Sequence, residues 1–334
     1  MKQSDPHLPS HRRPDGRFRN PWDTTEHGFL DVIRWQLGRR DRPRGTDPDP
    51  SAFPRGVADF ARPRAEPGRI SVTWVGHSTL LVQFGGLNIL TDPVWSDFAS
   101  PIQGVGPRRI IPAAVDFASL PPIDLVLLSH NHYDHLDDTT VRRLIAAHPS
   151  AMWITPLGLA AFVRERGAEQ VAELDWWDEH EFRGLRIACT PAQHFSARGL
   201  TDRFATLWAG FALRAGDQNL YFAGDSGYHP EFTTIGERYG PFDVTLMPIG
   251  AYDPRWFMSV VHMDPEEAVR AFRDLNARRA HSQRAIMVGI HWGTFKLTDE
   301  SLDEPPVRAR AAWLAAGEPT DDLWILPHGG TRWR

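Results

Sequence analysis

Cysteine is all but missing from this sequence: Cys189 is the single one among 334 residues. A lone thiol excludes an intrachain disulfide framework and a zinc site built on several cysteines. An excess of positive charge is missing as well. The formal net charge is -5, which argues against a nucleic-acid partner held by phosphate neutralisation. There is no apolar run of the ~18 residues that a membrane-spanning helix needs. The opening stretch MKQSDPHLPSHRRPDGRF lacks the apolar core of a secretory signal. The expected location is therefore the cytoplasm, with peripheral contact to the inner membrane as an extension of that expectation. No strict repeat or low-complexity tract occurs. What is present is a globular composition, 41% hydrophobic and 24% charged, at a length that suits a single-core α/β enzyme.

The chain divides by composition. Residues 1–69 are rich in Pro, Arg and Asp and read as an N-terminal extension wrapping the core. Inside it, Phe29, Leu30, Ile33 and Leu37 fall at helical spacing, predicting a helix over 26–37. Such a helix either packs on the catalytic domain or touches lipid headgroups, with Trp35 and Arg39, Arg40, Arg42 and Arg44 near the interface. Residues 70–334 read as the catalytic domain. SVTWV, TLLVQF and LNILTD are strands separated by glycine-containing turns, and IDLVLLS is a strand buried on both faces. AMWIT, GLRIACT, LWAGFALRA, QNLYFAG, FDVTLMPI and RAIMVGI are further strands. Helices are predicted over 136–148, with Asp137 or Asp138 as N-cap, and over 158–166, 229–238, 265–275 and 306–316. Strands and helices alternate in two successive halves, so two sheets between outer helices is the natural packing.

The chemistry is concentrated after IDLVLLS. His130, His132, Asp134 and His135 stand within six residues. Four potential ligands on one loop are costly to desolvate unless a cation holds them. His130 and His132 are two apart, so an extended backbone points both imidazoles to one side. His194, Asp225 and His291 each follow a buried strand, and together they complete two cages. One metal is assigned His130, His132 and His194, the other Asp134, His135 and His291, with Asp225 bridging. The nitrogen and oxygen donors suit two divalent ions: Zn²⁺, with Mn²⁺ or Fe²⁺ as alternatives. Two-metal hydrolysis needs this arrangement.

HNHYDH resembles the HxHxDH motif of the metallo-β-lactamase superfamily, and His194, Asp225 and His291 match its remaining ligands in order. The resemblance implies an α/β fold, the αβ/βα four-layer sandwich, with the site at one edge. VTWVGHSTLLV, TDPVWSDFASP, PAQHFSARG, FAGDSGY, IGAYDPRWFM, HMDPEEAV, GIHWGTFKL and GRFRNPW are similar to the N-acyl-phosphatidylethanolamine-hydrolysing phospholipase D family and its bacterial relatives. The match spans roughly residues 14–300. It implies a binuclear phosphodiesterase of phospholipase D type acting on N-acyl-phosphatidylethanolamine-like lipids. Asp92 is implied to orient a metal-bound histidine. His77 matches a family histidine near the metals, where a plain turn role is the other reading.

Asp134 and His262 are the expected catalytic residues. Tyr252, Arg255 and His262, from one strand-to-helix loop, are the expected substrate contacts. Arg255 is read equally as the partner of a nearby Asp. Val261 stands where mammalian-type members carry Gln. Trp95, Trp176, Trp177, Trp208, Trp256 and Trp292 either line an acyl-chain groove or pack the core. The expected partners are a small-molecule or phospholipid substrate and a membrane surface, not nucleic acid, with homo-oligomerisation left open. The rival readings are a lactonase or other carboxylic ester hydrolase in the same cage, and a non-catalytic metal-bound sensor.

Overall fold

The computed structural model describes residues 11–22, 24–38, 47–199 and 201–334. The strands are β1 (Ser71–Gly76), β2 (Thr79–Phe84), β3 (Leu87–Thr91), β4 (Leu125–Leu127), β5 (Met152–Pro156), β6 (Gln170–Leu174), β7 (Glu179–Phe182), β8 (Leu185–Thr190), β9 (Gly210–Ala215), β10 (Gln218–Phe222), β11 (Val244–Pro248), β12 (Ile286–Ile290), β13 (Leu323–Trp324) and β14 (Thr331–Trp333). The helices are α1 (Phe29–Gly38), α2 (Asp138–Ala147), α3 (Ala160–Arg164), α4 (Glu231–Tyr239), α5 (Arg255–Met258), α6 (Pro265–Leu275) and α7 (Glu304–Ala315).

They form two seven-stranded sheets, β14-β1-β2-β3-β4-β5-β6 and β13-β12-β11-β10-β9-β8-β7. Both sheets follow one plan. Antiparallel pairs come first along the chain, β1/β2/β3 and β7/β8/β9/β10, and parallel pairs follow, β3/β4/β5/β6 and β10/β11/β12/β13.

Period-two alternation decides which face each side chain serves. Val72, Trp74, Leu80, Val82, Ile89, Leu125, Leu127 and Ile154 point into the main core, with Ile187, Phe211, Phe222 and Val288 of the second sheet. Their neighbours Val75, Leu81, Leu90, Val126, Leu128 and Trp153 point the other way, onto Val141 and Leu144 of α2 and Val163 of α3. IDLVLLS is thus covered on both faces, as its unbroken apolar run predicts. Phe272 of α6 and Trp313 of α7 pack against the second sheet's core. This is the metallo-β-lactamase αβ/βα sandwich.

Local signals set the helix ends. Asp264 caps α6 by accepting from Glu267 N at 2.9 Å, Glu267 accepts in return from Asp264 N at 3.2 Å, and Pro265 takes the first position. Of the two candidate caps for α2, Asp137 serves, accepting from Thr139 N. Helix α7 starts two residues before its predicted bound, because Pro305 and Pro306 fit its first turn.

The described residues among 11–69 lie against the sandwich at many points. Phe18 N donates to Phe204 O at 2.9 Å, and His11 and Arg12 both pair with Asp175. Helix α1 docks through Trp35, which is buried, donates to Asp299 Oδ2 at 2.8 Å and stacks on Phe257. Trp35 therefore faces inward rather than toward an interface. Leu30, Ile33 and Leu37 are left outward, 78%, 38% and 58% exposed. Arg39, Arg40, Arg42 and Arg44, expected beside Trp35, lie outside the described residues. No helix among the described residues is long and apolar enough to cross a membrane.

Candidate metal centre

The expected ligands all follow strand ends on one edge of the sandwich. His130, His132, Asp134 and His135 come after β4, His194 after β8, Asp225 after β10 and His291 after β12. In α/β sheets this is where ligands bind. Two glycines make the convergence possible. A Cβ on Gly224 would lie 2.7 Å from Ser129 Cβ and 2.8 Å from Ala209 O, and a Cβ on Gly250 would lie 2.2 Å from His291 O. His77, Asp92 and His291 hold left-handed backbone, with φ of 56°, 34° and 62°. Non-glycine residues adopt that region at a cost, and such strain clusters at functional sites.

Two groups of donor atoms face inward. In one, His130 Nε2 lies 2.8 Å and His194 Nε2 3.1 Å from His132 Nδ1. In the other, Asp134 Oδ2 lies 3.5 Å from His135 Nε2 and 3.6 Å from His291 Nε2. Asp225 Oδ2 stands between the groups. It is 3.0 Å from the Nε2 atoms of His135 and His291, and 3.9 and 4.0 Å from those of His194 and His130.

The outward nitrogens of His130, His135 and His194 are occupied, which fixes the tautomers of these three. His135 Nδ1–H donates to Asp92 Oδ2 at 2.7 Å, and His194 Nδ1–H to Val261 O at 2.9 Å. His130 Nδ1–H donates to Ser129 Oγ, whose hydroxyl donates on to Asp92 Oδ2 at 2.6 Å. Asp92 thus supports two imidazoles. His77 Nε2–H donates to Asp134 Oδ2 at 3.0 Å, and the four atoms of His77, Asp134, His135 and His291 lie within 4.8 Å of one another.

The donor set fits divalent cations. Tetrahedral zinc with Zn–N bonds of about 2.0–2.1 Å places its nitrogens about 3.3 Å apart, near the spacings here. Asp225 Oδ1, His135 Nε2 and His291 Nε2 are buried and lack hydrogen-bond alignment with any described residue, as atoms awaiting a shared ion would. Burial lowers His132 to about 3, with His194 adding to the effect, and lowers His194 to about 4 against the pull of Asp225. Burial raises the Asp225 carboxyl, but His135 and His291 outweigh it and hold the group well below its usual range. Burial likewise lowers His291, and Asp225 and Asp134 overcome it, raising His291 to about 9. Two carboxylates in one buried cage demand compensating positive charge, from protons or from a metal.

The centre opens into a cleft of about 350 Å³ whose walls are mainly apolar, including Val32, Trp35, Phe204, Phe257 and Leu297. His262 lines it, with Nδ1 4.0 Å from Asp225 Oδ2. Tyr252 and Arg255 do not. The Tyr252 hydroxyl donates to Glu304 Oε1 at 2.7 Å in a buried setting. Arg255 donates to Glu267 Oε2 at 2.6 Å and to His262 O at 2.9 Å, and its Nε is 3.5 Å from Asp264, so the ion-pair reading holds. The six expected tryptophans also miss the cleft; Trp208, for example, is buried and donates to Ala192 O. The aromatic wall comes instead from Trp35, Phe195, Phe204 and Phe257. Sequence reasoning also missed Asn20, which binds the backbone of His194, and Arg203, which lines the cleft. Asn20 lies inside GRFRNPW, a signal that was available.

The profile of the beta-lactamase superfamily domain matches residues 87–292. An uncharacterized protein of Mycobacterium tuberculosis is 42% identical over 325 residues, covering 95% of this chain and 82% of that one. The N-acyl-phosphatidylethanolamine-hydrolyzing phospholipase D 1 of Caenorhabditis elegans is 39% identical over 272 residues, 78% of this chain and 74% of that one. Among solved structures, Igni18, a metallo hydrolase from Ignicoccus hospitalis, superposes with a TM-score of 0.58 at 23% identity, covering 80% of this chain and 98% of that one. The chain is a metal-dependent hydrolase and belongs to the metallo-β-lactamase superfamily, within its N-acyl-phosphatidylethanolamine-hydrolysing phospholipase D-like family.

Proposed function

We propose that the chain is a binuclear phosphodiesterase of phospholipase D type, acting on N-acyl-phosphatidylethanolamine-like lipids. The observation that carries this reading is the position of Asp225, whose Oδ2 faces both donor groups at the floor of an apolar cleft. His130, His132 and His194 would hold one cation, Asp134, His135 and His291 the other, and Asp225 both. Zinc suits the donors best, with manganese and iron as alternatives. Two such ions supply an acidified water and Lewis-acid contacts to the phosphoryl oxygens.

The residues do the rest. His77 fixes Asp134, which orients the attacking water through its proton. His262, held by Arg255 through its carbonyl, faces the substrate side of Asp225 and hydrogen-bonds the departing oxygen. The apolar walls take an acyl chain and exclude water. The N-terminal extension up to residue 69 completes the cleft by supplying Val32 and Trp35. The outward Leu30, Ile33 and Leu37 contact the lipid surface. The activity named for the C. elegans relative supports the phosphodiester assignment.

The test is turnover of an N-acyl-phosphatidylethanolamine, a soluble chromogenic phosphodiester and a long-chain lactone by protein of measured metal content. Cleavage of the diesters with two metals bound is the expected result. Asp225→Ala should lose most bound metal and activity. Hydrolysis of the lactone alone would replace the reading with that of an ester hydrolase. Wild-type turnover by Asp225→Ala would remove the bridging role.

A further inference from the structure

Arg203 is the one Arg or Lys among the described residues lining the cleft. Its guanidinium packs against two rings set edge to face, 5.1 Å from the centroid of Phe195 and 4.8 Å from that of Phe204. Phe195 in turn packs its ring 4.4 Å from His132, a candidate ligand. One aromatic ring therefore separates the guanidinium from the metal centre. No side-chain hydrogen bond to a described residue satisfies Arg203, and its Nε is buried. The carboxylate that acts on Arg203, Glu26, is paired with Arg13. Arg13 also lies over Phe204, at 4.6 Å. Two guanidiniums thus share one ring and one carboxylate.

A partly buried guanidinium without hydrogen bonds is costly unless a ligand completes it. Burial lowers the Arg203 pKa, Glu26 opposes that and Arg13 adds to it, yet the group stays cationic. Packing against Phe195 and Phe204 restricts the fork, and a restricted fork suits an oxyanion with two acceptors.

We propose that Arg203, packed against Phe195 and Phe204, is the anion-recognition subsite of this cleft and selects amphiphiles that carry a phosphoryl-type charge over neutral esters of the same chain length. The subsite takes over the role expected of Arg255, which is committed to Glu267. This rests on the phosphodiesterase reading for its biological sense but is tested by binding alone.

The probes are a non-hydrolysable decyl phosphonate monoester and neutral decyl acetamide, titrated calorimetrically into metal-loaded wild-type protein, Arg203→Met and Arg203→Lys. Methionine keeps the stem packed on the rings and removes the charge. Binding of the phosphonate should weaken about tenfold or more in Arg203→Met, the size of one charge-assisted hydrogen bond, and recover in part in Arg203→Lys. Binding of the amide should be unchanged. Equal weakening of both probes would assign Arg203 to packing and overturn the proposal, as would no change in either. If the wild type binds the phosphonate through Arg203 yet cleaves no diester, the phosphodiesterase reading fails while the subsite stands.

Discussion

Asn20 brackets the backbone of His194: its Nδ2–H donates to the His194 carbonyl at 3.0 Å, and its Oδ1 accepts from the His194 N–H at 3.2 Å. The same Oδ1 accepts from Trp208 Nε1 at 3.1 Å. A residue of the N-terminal extension thus sets the position of a candidate ligand that lies far along the chain. Asn20→Ala leaves those backbone groups without partners, so it should cost about 1–3 kcal/mol in urea unfolding. It should also lower metal content measured by elemental analysis. Stability and metal content both at wild-type level would rule out the bracket as a support of the centre.

Asp92 supports His135 directly and His130 through Ser129. Asp92→Ala should weaken metal binding by about 10–100-fold, the usual effect of losing such a support. Competition against a fluorescent chelator measures this. Asp92→Asn should fall between the two, keeping the shape without the charge. Unaltered affinity in both variants would show that the ligands orient themselves.

His229 supplies a pH prediction away from the centre. Its ring lies 4.6 Å from Trp22 and 4.0 Å from Phe232, and both its nitrogens are buried without a hydrogen bond among the described residues. Burial presses its pKa from 6.5 to about 3. Above pH 6.5 neither the folded nor the unfolded chain carries this proton, and the group leaves stability unchanged. As pH falls from 6.5 toward 3, the unfolded chain binds the proton and the fold does not. Stability then declines by at most about 1.4 kcal/mol per pH unit. His328, lowered to about 3 by burial and then by Arg55, acts in the same direction. His229→Phe should make the pH dependence of urea unfolding shallower between pH 7 and 5. A slope equal to the wild type's would count against the argument.

For lipid contact, substitution is the sharper test than truncation, because removing residues 1–45 would also remove Asn20. Leu30, Ile33 and Leu37 point outward while Trp35 anchors the helix. Changing the three to Ser should reduce co-sedimentation with liposomes several-fold and leave turnover of a soluble diester near wild type. Undiminished co-sedimentation would dismiss this face as a lipid contact.

How much of this was legible in the sequence depended on how local the signal was. Buried strands such as IDLVLLS and the capped helix α6 are written in neighbouring residues, and their predicted positions agree with the structure. The candidate ligands stood out because costly polar groups followed buried strands. The strands β6 and β7 did not stand out. QVAEL and EHEF lie at sheet edges, largely uncovered, and so need no apolar run. Tyr252, expected as a substrate contact, is engaged elsewhere, and Arg255 follows the ion-pair reading that stood beside its substrate role. The partner of Tyr252, Glu304, belongs to another element far along the chain, and nothing near Tyr252 announces that pairing. Asn20 was marked only by its place in GRFRNPW, since a hydrogen bond across 174 positions leaves no periodicity.

The candidate ligands come from both halves of the sandwich: four follow β4 in the first sheet, and His194, Asp225 and His291 follow strands of the second. Any ion gripped by both sets rivets one sheet to the other. Neither half alone is a complete chelator, so loading reports that the two halves have closed on each other. The free energy of metal capture then counts toward cohesion of the whole sandwich, and stripping the ions loosens a seam rather than a loop.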